Sequence, residues 1–293
     1  EQAGAPAGVI NVVTCPRENV AAVGEELCTN PDVRKVSFTG STPVGKLLLR
    51  HASSTVKRVS MELGGNAPFV VFEDADVDRA VEGVVASKFR FSGQTCVCTN
   101  RVLVHEVVYD EFAAKLVEKV KAFKLGSGLV DGVTHGPLIN VRARERVAAV
   151  VDAAVAAGAR VLIAGGGRAV DAAGSCFYAP TVLRDCTPDM LVCRDETFGP
   201  VAPLVRFSSE AEALRLANSA AVGLAGYFYT QDYARMFRFA EALEVGMVGV
   251  NEGAISKEVI PFGGVKESGL GREGSVLGID EYVEVKHICI GGI

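Results

Sequence analysis

The stretch KVSFTGSTPVG, Lys35–Gly45, decides the fold class of this chain. Residues Lys35–Thr39 have the β-branched and aromatic composition of a short strand, and a glycine follows them. A helix is predicted to come next, from about Val44 to Ala52. A strand that passes through a turn into a helix is the repeating unit of α/β proteins with mainly parallel sheets.

The same alternation extends along the rest of the chain. Short β-branched runs predict strands at Val9–Thr14, Lys35–Thr39, Arg58–Leu63, Phe69–Phe72, Arg101–His105, Arg160–Ala164, Gly226–Thr230 and Met247–Val250. Longer stretches predict helices at Arg17–Cys28, Val44–Ala52, Asp76–Phe89, Asp110–Lys121, Arg142–Ala157, Ser209–Asn218 and Tyr233–Leu243. The tail Tyr282–Ile290 alternates enough to predict an edge strand that pairs with another element or subunit.

Composition sets limits on the function. The chain has 293 residues, of which 49% are hydrophobic, enough to build one large domain or two ordinary ones. The net charge is −5, and no basic stripe is interleaved with aromatic residues, which argues against a nucleic-acid partner. No uninterrupted apolar run reaches the roughly 18 residues of a membrane span, which argues against a membrane protein.

The cysteines and histidines indicate neither a disulfide framework nor a metal site. Eight cysteines are scattered along the chain, and none forms a Cys-x-x-Cys pair. The four histidines lie far from one another in sequence, so no zinc site is expected. This pattern predicts a reducing compartment, either the cytoplasm or the mitochondrial matrix.

Two motifs combine a carboxylate with a thiol. Glu62 precedes the flexible pair Gly64-Gly65, and Cys96 follows Gly93-Gln94-Thr95 on a predicted tight loop. A thiolate, favoured by converging amides or positive charge, attacks a carbonyl carbon, and a base then activates the water that hydrolyses the thioester. Taken singly, Glu62 is more simply explained as a solvated carboxylate and Cys96 as a buried small residue. Together the two motifs predict an active site.

The turn Gly40–Gly45 is a candidate phosphate site. Free backbone amides at the start of the following helix, together with its dipole, attract a pyrophosphate, and Ser41 could donate a hydrogen bond to it. The spacing differs from Gly-x-Gly-x-x-Gly, so the alternative of a plain strand-to-helix turn capped by Ser41 stays open.

Two further motifs contain special turns. Glu196-Thr197-Phe198-Gly199-Pro200 places a carboxylate, which can accept hydrogen bonds from ribose hydroxyls, two residues before an aromatic ring that could support a planar group. A turn with an ordinary core phenylalanine is the alternative. The glycine-rich stretch Pro261–Glu273 needs unusual backbone dihedral angles, but its spacing alone indicates no function.

Taken together, these motifs resemble the NAD(P)-dependent aldehyde dehydrogenase superfamily. They occur in the order and at the spacing of that family, from about Gly4 to the C-terminus. The resemblance implies an α/β, aldehyde dehydrogenase-like fold. Its parts would be the C-terminal portion of a Rossmann-type NAD(P)-binding domain (residues 1–64), a parallel-sheet catalytic domain (65–264), and a return to the cofactor domain with an oligomerisation strand (265–293).

The resemblance also implies the roles of individual residues. Cys96 would attack the aldehyde to give a thiohemiacetal, and Glu62 would activate the water that releases the acid. Ser41 would contact the cofactor pyrophosphate and Glu196 the nicotinamide ribose. The cofactor, NAD or NADP, would contact residues of three motifs: Gly40, Ser41, Gly45, Leu63, Glu196 and Phe198.

Some stretches resemble the members of the family that oxidise succinate semialdehyde or glutarate semialdehyde: Gly93–Cys98, Gly223–Tyr229, Val245–Gly253 and Gly269–Gly274. A substrate of this kind carries its own carboxylate. The resemblance implies that Arg90 binds that carboxylate, with Ser256 as its hydrogen-bonding partner. An arginine that complements a helix dipole is the alternative for Arg90.

Cys98 resembles a cysteine that pairs with the nucleophile as an oxidation switch in some relatives. A disulfide between residues 96 and 98 would close a small, strained ring and be easily reduced. The alternative is that Cys98 is a packed small residue.

The family has a long N-terminal portion before the point that matches Glu1. We therefore expect this chain to be the C-terminal part of such an enzyme, inactive or nearly so by itself, and a homo-oligomer when full length. A truncated, non-catalytic module that pairs with full-length subunits through its tail is the alternative from another functional class.

Overall fold

The computed structural model describes residues 2–164 and 175–292. The α-helices are α1 (Val20–Thr29), α2 (Thr42–Ala52), α3 (Val77–Val84), α4 (Tyr109–Lys121), α5 (Val141–Ala156), α6 (Leu191–Arg194), α7 (Glu210–Ala217) and α8 (Tyr233–Ala242). The strands are β1 (Lys35–Thr39), β2 (Arg58–Glu62), β3 (Ala67–Val71), β4 (Thr99–His105), β5 (Arg160–Ala164), β6 (Thr181–Arg184), β7 (Val201–Phe207), β8 (Val222–Gly223), β9 (Ala225–Tyr229), β10 (Met247–Val250), β11 (Val265–Lys266) and β12 (Gly269–Leu270).

Seven strands form the large sheet, in the order β10-β9-β3-β4-β7-β6-β5. Every neighbouring pair is parallel except β5 with β6. Buried clusters cover both faces, one around Phe69 and Phe112 and the other around Phe72 and Phe239. Parallel strands covered on both faces need apolar residues along their whole length, and the predicted α/β fold is confirmed.

A smaller sheet of three strands, in the order β1-β2-β12, positions the carboxylate motif. β1 and β2 are parallel, and β12 pairs antiparallel with the end of β2, where Gly269 lies opposite Glu62. The Leu63 N–H donates to the Ser268 carbonyl over 2.9 Å. The glycine-rich segment therefore folds back over the end of β2 and removes Glu62 from water.

The segment before the cysteine motif changes helix type. Asp76 caps α3 by accepting a hydrogen bond from the Arg79 N–H, as predicted from its position before the apolar run. Residues Val85–Phe89 continue α3 as a π-helix, a form that needs an inserted residue and occurs often at functional sites. Phe91 and Ser92 then adopt positive φ angles of 54°, which turn the chain sharply towards Cys96.

Two strands of the large sheet, β6 and β7, have no counterpart among the predicted elements. β7 lies between β4 and β6, yet it contains Pro203. Proline lacks the N–H that a central strand uses, so sequence patterns argue against a strand there. The neighbouring residues are fully buried, and this burial overrides the local preference.

Two predicted strands are wrong. Val9–Thr14 and the tail Tyr282–Ile290 contain no strand in the structure. Their large apolar side chains are exposed, from 50% at Val283 to 100% at Val285. A strand is stable only when a neighbour satisfies its N–H and C=O groups, and no described residue pairs with either segment. The role of residues 265–293 in oligomerisation stays a prediction.

The remaining features of the described residues concern membranes and metals. No helix there is long and apolar enough to cross a bilayer. No group of three or more potential metal ligands lies together in that part of the chain. Cys96, Cys98 and Cys193 are not part of a disulfide.

Candidate active site

Glu62 is the last residue of β2, and only 3% of its surface is exposed. Its Oε2 atom accepts no hydrogen bond from any described residue. Burial raises the pKa of Glu62 to about 8, the Glu273 carboxylate adds to the shift, and Arg272 opposes it. Glu62 is therefore not a solvated carboxylate. A buried carboxyl group with an unbonded oxygen and a pKa near neutrality has the properties of a general base.

Cys96 lies in a turn closed by a 3.1 Å hydrogen bond from the Cys98 N–H to the Thr95 carbonyl. Its side chain is half-buried. A Cβ atom at Gly65 would lie 2.4 Å from the carbonyl oxygen of Cys96, so only glycine allows this approach. The structure thus brings the Glu62–Gly65 motif directly against the cysteine turn.

The pKa of Cys96 is shifted in the direction opposite to that of the stabilised thiolate expected from the sequence. Burial raises the pKa of Cys96 to about 11, and the carboxylates of Glu196 and Glu62 raise it further. The group is therefore a neutral thiol near pH 7 in this structure. Attack on a carbonyl requires that a base remove its proton, and Glu62 and Glu196 are the carboxylates whose charges act on it.

The loop that carries Glu196 is held by two buried amides. Asn100 accepts a hydrogen bond from the Thr197 N–H over 3.0 Å and donates to the Asp195 carbonyl over 2.8 Å. Asn66 accepts from Asn100 and donates to the carbonyl of Arg194 over 2.8 Å. These bonds connect the loop of Glu196 to Asn66, which follows the Glu62–Gly65 motif, and to Asn100, which comes shortly after the cysteine turn.

Glu196 itself faces the double glycine. Its Oε1 accepts a 3.2 Å hydrogen bond from the Gly65 N–H. A Cβ atom at Gly64 would lie 3.0 Å from its Oε2, so the missing side chain keeps space beside the carboxylate. Burial raises the pKa of Glu196, whereas the Gly65 N–H and the charges of Arg146 and Lys88 lower it. Phe198 follows with a positive φ of 49°.

The N-terminus of α2 fits a nucleotide cofactor of the kind implied by the family. Ser41 is the exposed N-cap residue of α2, and its side chain makes no capping hydrogen bond, so its hydroxyl is available to a ligand. A Cβ atom at Gly45 would lie 2.4 Å from the Leu63 side chain, which shows how closely α2 packs on the residue after Glu62. Free helix N–H groups at this end suit a pyrophosphate.

Arg90 lies at the exposed end of the π-helix. Its carbonyl oxygen lies 3.9 Å from the Cys98 sulfur, so the residue adjoins the cysteine turn. Burial raises the pKa of Tyr227, and the charge of Arg90 opposes that shift. Ser256 is also exposed, and no hydrogen bond joins it to Arg90 in the described part of the chain.

Cys98 is buried, with 8% of its surface exposed. Its sulfur lies 2.9 Å from Thr95 Oγ1 and 3.9 Å from the carbonyl oxygen of Arg90. These two contacts place the Cys98 thiol inside the turn.

Sequence reasoning missed three features of the site. Lys88, on the π-helix, is 1% exposed, and burial lowers its pKa to about 8 although the charges of Cys98 and Glu196 oppose the shift. The amides of Asn66 and Asn100 were not recognised as a scaffold, and Gly263, where a Cβ atom would lie 3.0 Å from Glu62 Oε1, had no assigned role. None stands out locally, because each depends on contacts between distant segments.

Comparison with known proteins agrees with this geometry. Residues 1–288 match the aldehyde dehydrogenase family. The mitochondrial succinate-semialdehyde dehydrogenase of Mus musculus is 58% identical over 293 residues, which are 100% of this chain and 55% of that protein. The 3-sulfolactaldehyde dehydrogenase of Pseudomonas putida is 55% identical over the same length, 59% of that protein.

Solved structures give the same result. An NADP-dependent enzyme of E. coli superposes on this chain with a TM-score of 0.95 and 53% identity, over 99% of this chain and 59% of that one. The chain therefore spans a little over half the length of the relatives it matches.

Proposed function

Because the chain belongs to the aldehyde dehydrogenase family, we propose that it supplies the catalytic site for NAD(P)-dependent oxidation of succinate semialdehyde to succinate. The observation that carries this proposal is the buried Glu62, whose Oε2 is unbonded among the described residues, next to the glycine pair that packs against Cys96. An unpaired buried carboxyl group destabilises a fold, and its retention beside a thiol is explained by catalysis.

The reaction begins at Cys96. Its sulfur attacks the aldehyde carbon while its proton passes to a base, and the product is a thiohemiacetal bound to the enzyme. The Cys96 backbone N–H would donate a hydrogen bond to the oxygen that becomes negative. NAD(P), when bound, supplies the hydride acceptor that converts this adduct into a thioester.

Glu62 acts in the second half of the reaction. It takes a proton from a water molecule, the water oxygen attacks the thioester carbon, and the acid leaves as the carbon–sulfur bond breaks. Residues of this chain that would hold the cofactor are Ser41 at the start of α2 and Glu196, whose carboxylate has space beside it at Gly64.

Two observations support an aldehyde that carries an anionic group. Arg90 adjoins the cysteine turn, with its carbonyl oxygen 3.9 Å from the Cys98 sulfur, and a guanidinium can bind a carboxylate through two hydrogen bonds. The names of the mouse and Pseudomonas putida relatives both specify such aldehydes. Sulfolactaldehyde, and the longer glutarate semialdehyde, are therefore the alternative substrates.

We further propose that the protein works as a homo-oligomer in a reducing compartment, either the mitochondrial matrix or the bacterial cytosol. The name of the mouse relative places that protein in mitochondria. The many exposed apolar residues in the first and last segments, such as Val12 at 89% and Ile288 at 71%, support association with further polypeptide.

The direct test is an assay that follows formation of the reduced nicotinamide cofactor by its ultraviolet absorbance. Purified residues 1–293 and an N-terminally extended protein would each receive succinate semialdehyde with NAD or NADP. We expect turnover from the extended protein and little or none from the chain alone. Absence of turnover in both proteins with either cofactor, despite a folded state, would count against the proposed function.

Arg90→Ala should raise the KM for succinate semialdehyde about 10–100-fold in the extended protein. The reason is the loss of a charge-assisted, bidentate hydrogen bond, which is worth roughly 1.5–3 kcal/mol. Steady-state kinetics with butanal provide the control, because that aldehyde has no carboxylate to lose a partner. Equal effects on both aldehydes would remove Arg90 from substrate binding.

A further inference from the structure

A tyrosine with no role assigned so far contacts the cysteine turn. The Tyr227 hydroxyl donates a 2.8 Å hydrogen bond to the carbonyl oxygen of Val97, the residue between Cys96 and Cys98. Burial raises the pKa of Tyr227, so the phenol keeps its proton and remains a donor. The bond joins β9 to a turn that is 130 positions away in sequence.

The position of this hydroxyl is fixed by the large sheet. Tyr227 is 1% exposed, and its strand β9 lies between β10 and β3. Its ring stacks on Phe69 of β3 with 6.0 Å between ring centroids. A side chain held on both sides by strands has little freedom, so its hydroxyl is a rigid anchor for the Val97 peptide group.

We propose that Tyr227 is a positioning residue that holds the Cys96-Val97-Cys98 turn in its dithiol geometry and opposes a disulfide between the two cysteines. This role rests on the proposed function in one respect, since the dithiol geometry is the one that leaves Cys96 available as nucleophile. The hydroxyl acts through the Val97 carbonyl and contacts neither sulfur.

The covalent chemistry explains why the hydrogen bond matters. A Cys96–Cys98 disulfide closes a ring that contains the Val97 backbone, so it changes the dihedral angles of the peptide group that Tyr227 holds. It also requires the Cys98 sulfur to leave Thr95 Oγ1, now at 2.9 Å. Oxidation by glutathione disulfide forms one sulfur–sulfur bond in the protein, breaks one in the oxidant and releases two molecules of reduced glutathione.

Tyr229 provides a matched control. It is two residues further along β9 and therefore points to the same face of the sheet. It is also buried, with 4% of its surface exposed. Its hydroxyl lies against Gly83, where a Cβ atom would be 2.0 Å away, and not against the cysteine turn. Removing this hydroxyl makes the same chemical change at an equally buried place.

The test compares Tyr227→Phe with Tyr229→Phe in the 293-residue chain. Each variant is equilibrated with mixtures of reduced and oxidised glutathione, and mass spectrometry of peptides measures the fraction of Cys96–Cys98 disulfide. We expect Tyr227→Phe to increase the equilibrium constant for this disulfide about fivefold, the equivalent of one hydrogen bond of roughly 1 kcal/mol. Tyr229→Phe should leave it unchanged. Urea unfolding of both variants verifies that they fold.

Either of two results would overturn the proposal: an unchanged equilibrium constant in Tyr227→Phe, or equal increases in both variants. If Tyr227→Phe does not fold, the same equilibrium is measured in Thr95→Val, which lacks the hydroxyl that contacts the Cys98 sulfur. No increase of the disulfide equilibrium constant in Thr95→Val would contradict a turn held by hydrogen bonds. The readout needs no dehydrogenase activity. Its failure is therefore distinguishable from failure of the proposed function.

Discussion

Replacing Cys96 by alanine is expected to abolish dehydrogenase activity in the N-terminally extended protein, with a loss of at least about 10⁴-fold in kcat. The reason is that the covalent route through a thiohemiacetal and thioester has no substitute when the nucleophile is missing. The change removes one sulfur from a half-buried position in a turn, so the fold should survive. Initial rates with succinate semialdehyde and the preferred cofactor measure the effect.

Cys193→Ala is the matched control for this prediction. Cys193 is also not part of a disulfide, is 2% exposed, and lies on α6, outside the turn that carries Cys96. It should keep most of the activity. Appreciable turnover in Cys96→Ala would mean that another group performs the chemistry.

Glu62→Gln is expected to stabilise residues 1–293 at high pH by on the order of 5 kcal/mol, and not at all near pH 4. Burial raises the pKa of this carboxyl group from 4.5 to about 8 in the folded state. At pH values between these two pKa values, Glu62 is ionised in the unfolded chain and protonated in the folded chain. Stability therefore falls as pH rises through this window, and above the folded pKa the whole cost of a buried charge is present.

Glutamine has nearly the same shape as glutamate and no proton to lose in this pH range. The free energy of unfolding of the Glu62→Gln protein should therefore lack this pH dependence. Urea unfolding of both proteins at several pH values between 4 and 9 measures the difference. An exposed glutamate, such as Glu241, provides the control for a general charge effect when it is changed to glutamine. If the free energies of unfolding of wild type and Glu62→Gln depend on pH in the same way, burial does not raise the pKa of Glu62.

The same substitution separates stability from function. A general base that is buried and has no hydrogen-bond partner lowers the free energy of unfolding. The proposed role of Glu62 requires a base of this kind. Glu62→Gln should therefore be more stable at pH 8 but slower in releasing acid from the thioester. A variant that gains stability and keeps its full rate would indicate that a different group activates the water.

The family and the order of its motifs were predictable from the sequence. Strand and helix patterns are local, so β1 to β4 and helices such as α4 and α5 appear close to their predicted bounds. Predictions failed where a partner strand decides the outcome. The isolated segments Val9–Thr14 and Tyr282–Ile290 are not strands, and β7 forms in spite of Pro203 because its neighbours bury it.

The sequence by itself determined which groups are present: a thiol at Cys96, a carboxylate at Glu62 and a second carboxylate at Glu196, each beside glycines that allow close approach. The tertiary structure alone decided their chemical state. The return of β12 over β2 buries Glu62 and raises its pKa, and strand β9 brings Tyr227 to the cysteine turn. The physical reason is that a sequence motif consists of residues that are adjacent in the chain, whereas burial and electrostatic fields depend on residues that are adjacent in space.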